Sequence, residues 1–269
     1  MHPIAFQFGT FIIHWYGVMV ALAFLAGLWT ASRRGLSAGF VPEKILDLGP
    51  WLIVSGLIGA RIFYVVEYWS ESFAGLPFTE IFMIQHGGLV YYGGLVGASL
   101  ACIFYARRKN MPLWKLADVL APSIALGSVF GRIGCLLNGC CYGQICSHPW
   151  AVRFPNRSFA WEQQFITGQV GKYDFALPVH PTEIYDAVLN LILYLALASL
   201  FRRKKFDGQI LALYLICYAL TRSFVEYFRG DYSAAHLHRG LTPAHLVSIG
   251  IFTAGATLFA LQSRTQKKA

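Results

Sequence analysis

The sequence predicts an all-α, polytopic membrane protein with about seven transmembrane helices, its N-terminus outside and its C-terminus cytoplasmic. Three observations carry this prediction. Of the 269 residues, 56% are hydrophobic and 13% charged, against about 25% charged in soluble domains. The mean hydropathy is +0.51. Several apolar runs are long enough to cross about 30 Å of hydrocarbon, which takes about 20 helical residues. The basic residues fall in short clusters between those runs, as orientation signals do. A net charge of +9 would suit a nucleic-acid partner, but this placement argues against one.

The runs follow in order at Phe11–Ala31, Ile45–Tyr68, Gly88–Ala106, Leu116–Leu137, Glu183–Phe201, Gln209–Phe228 and Pro243–Leu261. Glycine and proline within them do not break the reading, because membrane helices tolerate both. Met1 to Gly9 hold no Lys or Arg. That stretch lacks the basic start of a cleavable signal peptide, so the first run is expected to be permanent. Arg33, Arg34 and Lys44 follow run one; Arg107, Arg108, Lys109 and Lys115 follow run three. Arg202, Arg203, Lys204 and Lys205 follow run five, and Arg264, Lys267 and Lys268 lie in the tail. These clusters define the cytoplasmic side. The chain is expected to form a single integral membrane domain over 1–269, with an external loop at about 138–182. That loop exceeds ordinary connections and is expected to fold over something.

Given this topology, the polar residues inside the runs gather towards the outside. Arg61, Arg132 and Arg222 lie in the outer parts of runs two, four and six, with Glu67 and Glu226 ending runs two and six. Tyr16, Tyr91, Tyr92, His180, Glu183, Tyr185, Asp186 and His245 lie at the outer ends of the other runs. An arginine in hydrocarbon costs from about 3 to over 10 kcal/mol, so it is rarely present without a partner or ligand. Three at one level suggest an anion, because the guanidinium fork suits phosphate. In a membrane the candidate is a phospholipid headgroup. Arg222 and Glu226 are spaced to meet on one helix face. Their pairing would leave Arg132 for the ligand. Arg61 has a structural alternative, a pairing with Glu67.

The stretch Gly131–Gly143 closes run four around Arg132. Gly127, Gly131 and Gly134 lie on one helix face and permit close approach of another helix or a lipid. The glycines of His86-Gly87-Gly88 and Tyr92-Gly93-Gly94 bracket the start of run three and permit close backbone approach or a bent entrance. Cys135, Cys140, Cys141 and Cys146 do not follow a good four-ligand zinc spacing, and no metal is expected. A disulfide from Cys140 or Cys141 to Cys146 and buried free thiols are both open.

Motifs spread along the chain then suggest a family. They are His14-Trp15-Tyr16-Gly17, Gly59-Ala60-Arg61-Ile62, Tyr92-Gly93-Gly94-Leu95-Val96-Gly97, the Gly131–Gly143 stretch, His180-Pro181-Thr182-Glu183-Ile184-Tyr185 and Arg222-Ser223-Phe224-Val225-Glu226-Tyr227-Phe228-Arg229. In order and spacing the chain resembles the prolipoprotein diacylglyceryl transferases. The resemblance implies an enzyme of the bacterial inner membrane, working without a cofactor towards the external side. Its substrates would be phosphatidylglycerol and prolipoprotein signal peptides with a lipobox cysteine. It implies that Arg132 binds phosphatidylglycerol and that Tyr16, Asn138, Gly143, Arg222 and Glu226 stand at positions on which the family depends. Arg61 and His86 join the expected substrate contacts. Tyr16, Tyr92, Arg222 and Glu226 form the expected catalytic set.

The chain departs from the family pattern at Cys135, where Asn is frequent, and at Cys140, where Glu is frequent. It also departs at Tyr92, where the family often has His as a candidate base. A tyrosine of ordinary pKa, about 10, is a poor base at neutral pH. His86 or Glu226 could replace it, or the acceptor thiol needs no strong base. The alternatives are a lipid or small-anion transporter, which would place its polar groups at the midplane in inverted repeats, and a family paralogue with another thiol acceptor.

Overall fold

A computed structural model describes residues 4–9, 11–84, 87–230 and 242–268. Each of the seven runs is a helix. Run one becomes α1 (Trp15–Ser37), run two α2 (Pro42–Leu46) with α3 (Leu48–Glu67), run three α4 (Tyr91–Arg108) and run four α5 (Leu113–Asn138). A short helix, α6 (Phe159–Ile166), precedes run five, α7 (Thr182–Leu200); α8 (Gln209–Glu226) and α9 (Pro243–Lys268) complete the series. Six spans, among the described residues, are long and apolar enough to cross a membrane. Helix α4, with 18 residues and a glycine-rich start, is not among them. Leu25, Val66 and Ile192 lie on outer faces with more than half of their surface exposed. Such faces suit a hydrocarbon solvent.

The beginning of run one differs from expectation. Phe11–His14 is a strand, β2, paired antiparallel with β1 (Ile4–Phe8). Ile12 and Ile13 are β-branched, which favours the pleated conformation. Gly9, at φ +60, occupies the turn. The helix starts only at Trp15.

The chain divides into two compact units. In the unit Ser32–Leu116, α3 and α4 meet through glycines. A Cβ on Gly59 would lie 2.3 Å from the Gly93 carbonyl, and one on Gly97 would lie 2.3 Å from the Ser55 carbonyl. Small residues are therefore required there, as in other closely packed membrane helices. In the unit of Met1–Ala31 and Ala117–Ala269, Ser123 Oγ donates to Gly27 O of α1 at 2.7 Å, beside the internal Pro122. Helices α8 and α9 pack at Gly255, where a Cβ would meet Leu215 Cβ at 2.9 Å.

Asp118 of α5 is fully buried. Its carboxylate accepts from the backbone N–H groups of Gly208, Ile210 and Leu211 at 2.8–3.0 Å and from Lys204 Nζ at 2.8 Å. It thereby caps the N-terminus of α8 from a neighbouring helix, where orphan N–H groups and the helix dipole favour an anion. Burial opposes the Lys204 charge, but Asp118 and Asp207 outweigh it and hold its pKa above the ordinary lysine range.

The segment 138–182 carries its own small core of Tyr142, Phe154, Ala160, Ala176 and Val179. Ser158 caps α6 by accepting from Trp161 N. Tyr142 Oη donates to Gln163 Oε1 at 2.9 Å, and Gln164 Oε1 accepts from Leu177 N at 2.6 Å.

Candidate active site

The Asn138 end of α5 gathers polar side chains from several elements. Arg132 Nε contacts Asp186 Oδ2 of α7 at 2.8 Å. Asp186 also accepts from Asn190 Nδ2 at 2.7 Å, one helical turn further along α7. Asp186 is 2% exposed, whereas the Arg132 side chain retains 21%. A guanidinium has five N–H donors. Among the described residues only Nε of Arg132 is engaged, so both terminal nitrogens stay available. A Cβ on Gly127 or Gly131 would meet nothing within 4 Å. Of the glycines expected to admit another helix or a lipid, these two have nothing against them and leave this strip of α5 open. Gly134 alone is packed, with Tyr16 and Met19 of α1 3.2 Å from where its Cβ would stand. That contact holds Tyr16 against the last turns of α5.

Above this helix end three extended segments cross. Gly143 N donates to His180 O at 2.9 Å, and Gln144 N donates to Phe228 O at 2.8 Å. Thr182 Oγ1 donates to Cys141 O at 2.7 Å. A Cβ on Gly143 would lie 2.6 Å from both His180 Cβ and His180 O and 2.7 Å from Phe228 O. Gly143, expected as a substrate contact, is thus required by packing: no side chain fits between the two neighbouring segments. His180 Nδ1 lies 3.1 Å from Tyr185 Oη, which also accepts from Trp150 Nε1 at 2.8 Å. Partial burial, with His148 nearby, holds the His180 pKa below the ordinary histidine value.

Of the two open expectations for the cysteines, the free-thiol one holds, with the side chains half-buried, and the disulfide does not form. All six are free thiols. Cys146 takes no part in a disulfide; instead Cys135, Cys140 and Cys141 converge, their sulfurs within 4.8 Å of one another. Asn138 reaches the Cys140 sulfur. Hydrogen bonds from Cys135 and Cys140, with Arg229 and Arg132 near, push the Cys141 thiol well below the ordinary range.

On α8, Arg222 Nη1 and Glu226 Oε2 are 2.5 Å apart. The contact is electrostatic, since its angles are not those of a hydrogen bond. Glu226 Oε1 accepts from Thr242 Oγ1 at 2.7 Å, and Thr242 Oγ1 also lies 3.0 Å from His245 Nδ1. Glu226 is therefore paired and engaged, as the i,i+4 spacing anticipates.

Two residues outside the expected set stand out here. Glu183, the second residue of α7, is 1% exposed. Apart from a contact with its own backbone N–H, neither carboxyl oxygen has a hydrogen-bond partner among the described residues. Cys141, Arg132 and Arg229 are its charged surroundings. Arg229 likewise acts on Arg132 and Cys141. Both residues sit in the quoted motifs, three residues past His180 and three past Glu226, and Glu183 is also among the polar residues at the outer ends of the runs.

In the other unit Arg61 is 7% exposed. Nε donates to Ile81 O, Nη1 to Gly87 O and Gly88 O, and Nη2 to Glu80 O and Met83 O, all at 2.6–3.2 Å. All five donors are spent on backbone carbonyls. Arg61 consequently has none for a phosphate, and the pairing with Glu67 is also not made. It clamps the irregular segment between α3 and α4. Tyr92 is 54% exposed, its ring edge-on to Tyr91 at 5.9 Å. No described side chain polarises its hydroxyl. His86 lies outside the described residues.

The sequence profile described as prolipoprotein diacylglyceryl transferase matches residues 3–261. Among curated relatives, a phosphatidylglycerol–prolipoprotein diacylglyceryl transferase from Bacillus licheniformis is 34% identical over 260 residues, covering 97% of this chain and 92% of the relative. Proteins of the same name from Finegoldia magna and Synechococcus elongatus are similar too. The first is 34% identical across 96% of this chain and 94% of its own length. The second is 35% identical across 85% and 77%.

Proposed function

The chain belongs to the prolipoprotein diacylglyceryl transferase family, and on that premise we propose how this molecule carries out the reaction. It transfers the diacylglyceryl group from phosphatidylglycerol to prolipoproteins, the first step of lipoprotein maturation. The acceptor is the lipobox cysteine thiol, and the reaction takes place at the Asn138 end of α5, on the external face of the bacterial inner membrane. The thiolate attacks the glycerol carbon esterified to phosphate. A carbon–sulfur bond forms, the carbon–oxygen bond to phosphate breaks, and glycerol 1-phosphate leaves. No cofactor enters this balance.

One observation carries the reading: Arg132 is anchored through Nε while its terminal nitrogens remain open, beside a strip of α5 that glycine leaves uncovered. A guanidinium held in this way is oriented before the lipid arrives. It then stabilises the charge that accumulates on the departing phosphate. Arg222, with Glu226, Thr242 and His245, fixes the α8 side of the site; Tyr16 and Asn138 border α5. Tyr92 does not serve as the base. A thiol of ordinary pKa, about 8.5, is readily ionised beside arginines. Glu183, buried and unpartnered, is the place for its proton.

The test is direct. Purified protein is incubated with phosphatidylglycerol and a lipobox peptide, and the thioether product is sought by mass. Its formation, and its loss when the peptide cysteine is replaced by serine, supports the reading. Absence of thioether from a folded, lipid-loaded sample would overturn it.

A further inference from the structure

Three sulfurs at the end of α5 form a feature that lipid transfer does not use. Cys135 lies in the last turns of α5, and Cys140 and Cys141 follow the Gly139 turn. Gly139 has φ +77 and Cys141 has φ +71. A left-handed conformation is disfavoured for cysteine and persists only where surrounding structure holds it. Here it accompanies the gathering of all three Sγ atoms within 4.8 Å of one another, each residue partly buried. Ligands about 2.3 Å from one metal in a trigonal plane are about 4 Å apart. Small side-chain rotations therefore close the set.

Chemistry narrows the occupant. Thiolates are soft donors and select soft cations over magnesium, calcium or manganese. No carboxylate or imidazole joins the group among the described residues. Structural zinc almost always takes four protein ligands, so three sulfurs suit a three-coordinate ion better. Three thiolates around a monovalent cation leave two negative charges. Arg132, itself paired with Asp186, and Arg229 both act on Cys141 and offset part of that charge. Cys102, Cys146 and Cys217 lie outside the group.

We propose that Cys135, Cys140 and Cys141 form a three-sulfur binding site for a soft monovalent metal ion, Cu(I). The inference is independent of the transferase reading, because its readout is metal binding and not lipid transfer. The full chain in detergent, reduced and kept anaerobic, is titrated with Cu(I) against a coloured Cu(I) chelator. One copper per chain is expected to be withheld from the chelator, and X-ray absorption is expected to show three sulfur neighbours. Losing a neighbour of a ligand already costs 10–100-fold in affinity, so Cys135→Ser, Cys140→Ser or Cys141→Ser should each cost about a hundredfold. Cys102→Ser, Cys146→Ser and Cys217→Ser should leave copper binding unchanged. Copper retained at full affinity by the Cys135/Cys140/Cys141 triple serine variant would overturn the proposal. So would copper with two or fewer sulfur neighbours in the unaltered chain, which needs no variant to fold. Surrender of all copper to the chelator, with the three cysteines recovered as thiols or as a disulfide, would overturn it as well.

Discussion

Helix α5 carries a charged residue towards each end, and its surroundings treat the two in opposite ways. Asp118 receives four donors and has no unfilled role. Arg132 receives one carboxylate oxygen and keeps its terminal nitrogens open. Around Asp118 the partners are backbone N–H groups and a lysine, so the group is a fastening between α5 and α8. Around Arg132 lie Glu183 without a partner, three free thiols and a strip of glycine with nothing against it. A buried polar group left unsatisfied costs stability. Such costs collect at one end of this helix and are absent at the other. Arg61 repeats the lesson: with all five donors on carbonyls, it belongs with Asp118.

If this contrast is sound, substitutions at the two ends should separate stability from turnover. Asp118→Ala should have the largest effect. It removes one partner of a buried ion pair and the cap of α8, and should cost about 3 kcal/mol. Thermal unfolding in detergent should show a markedly lower midpoint, while the folded fraction still transfers lipid. Normal stability would mean that the carboxylate is not the fastening described here. Arg132→Ala should do the reverse. Its thioether yield should fall at least about a hundredfold, about 2.7 kcal/mol in the barrier, with the protein still inserted. Arg132→Lys keeps the charge but loses the planar fork, and should be impaired as well.

Glu183→Gln sharpens the account of the proton. Turnover near pH 7 should drop about tenfold, and the deficit should close towards about pH 9 as the acceptor thiol ionises unaided. A deficit that persists at every pH would assign Glu183 to packing.

The smallest effect concerns the crossing above the site. The His180 pKa is lowered in the folded protein by burial and His148. Its protons are then bound more readily by the unfolded chain, so stability is held above about pH 6.5 and declines as pH falls below it. Proteolysis of the 138–182 segment should become faster between about pH 7.5 and 5.5, and His180→Asn should flatten that dependence. An unchanged pH response in His180→Asn would remove His180 as its source.

The helices were legible because each run is long, apolar and bounded by basic clusters. The hairpin was not, since Phe11–His14 is as apolar as the helix it precedes and hydropathy alone does not separate the two. Arg132 and Arg61 look alike in sequence, each inside an apolar run near glycine. What divides them is the supply of carbonyls from Glu80, Ile81, Met83, Gly87 and Gly88, 19–27 residues away in the chain. Gly143 was visible as a motif residue, but its reason is steric and needs the His180 and Phe228 segments in place. The meeting of Cys135 with Cys140 and Cys141 depends on left-handed residues at 139 and 141, which spacing alone does not reveal. The Arg222–Glu226 contact follows helical period and was readable directly.

The central claim is that Arg132 holds the lipid phosphate. Native mass spectrometry of the detergent-purified protein can count bound phosphatidylglycerol without requiring turnover. The account predicts that the unaltered chain retains phosphatidylglycerol, that Arg132→Ala loses it, and that a conservative change at the saturated arginine, Arg61→Lys, leaves it bound in whatever fraction stays folded. Retention of phosphatidylglycerol by folded Arg132→Ala at the level of the unaltered chain would contradict it.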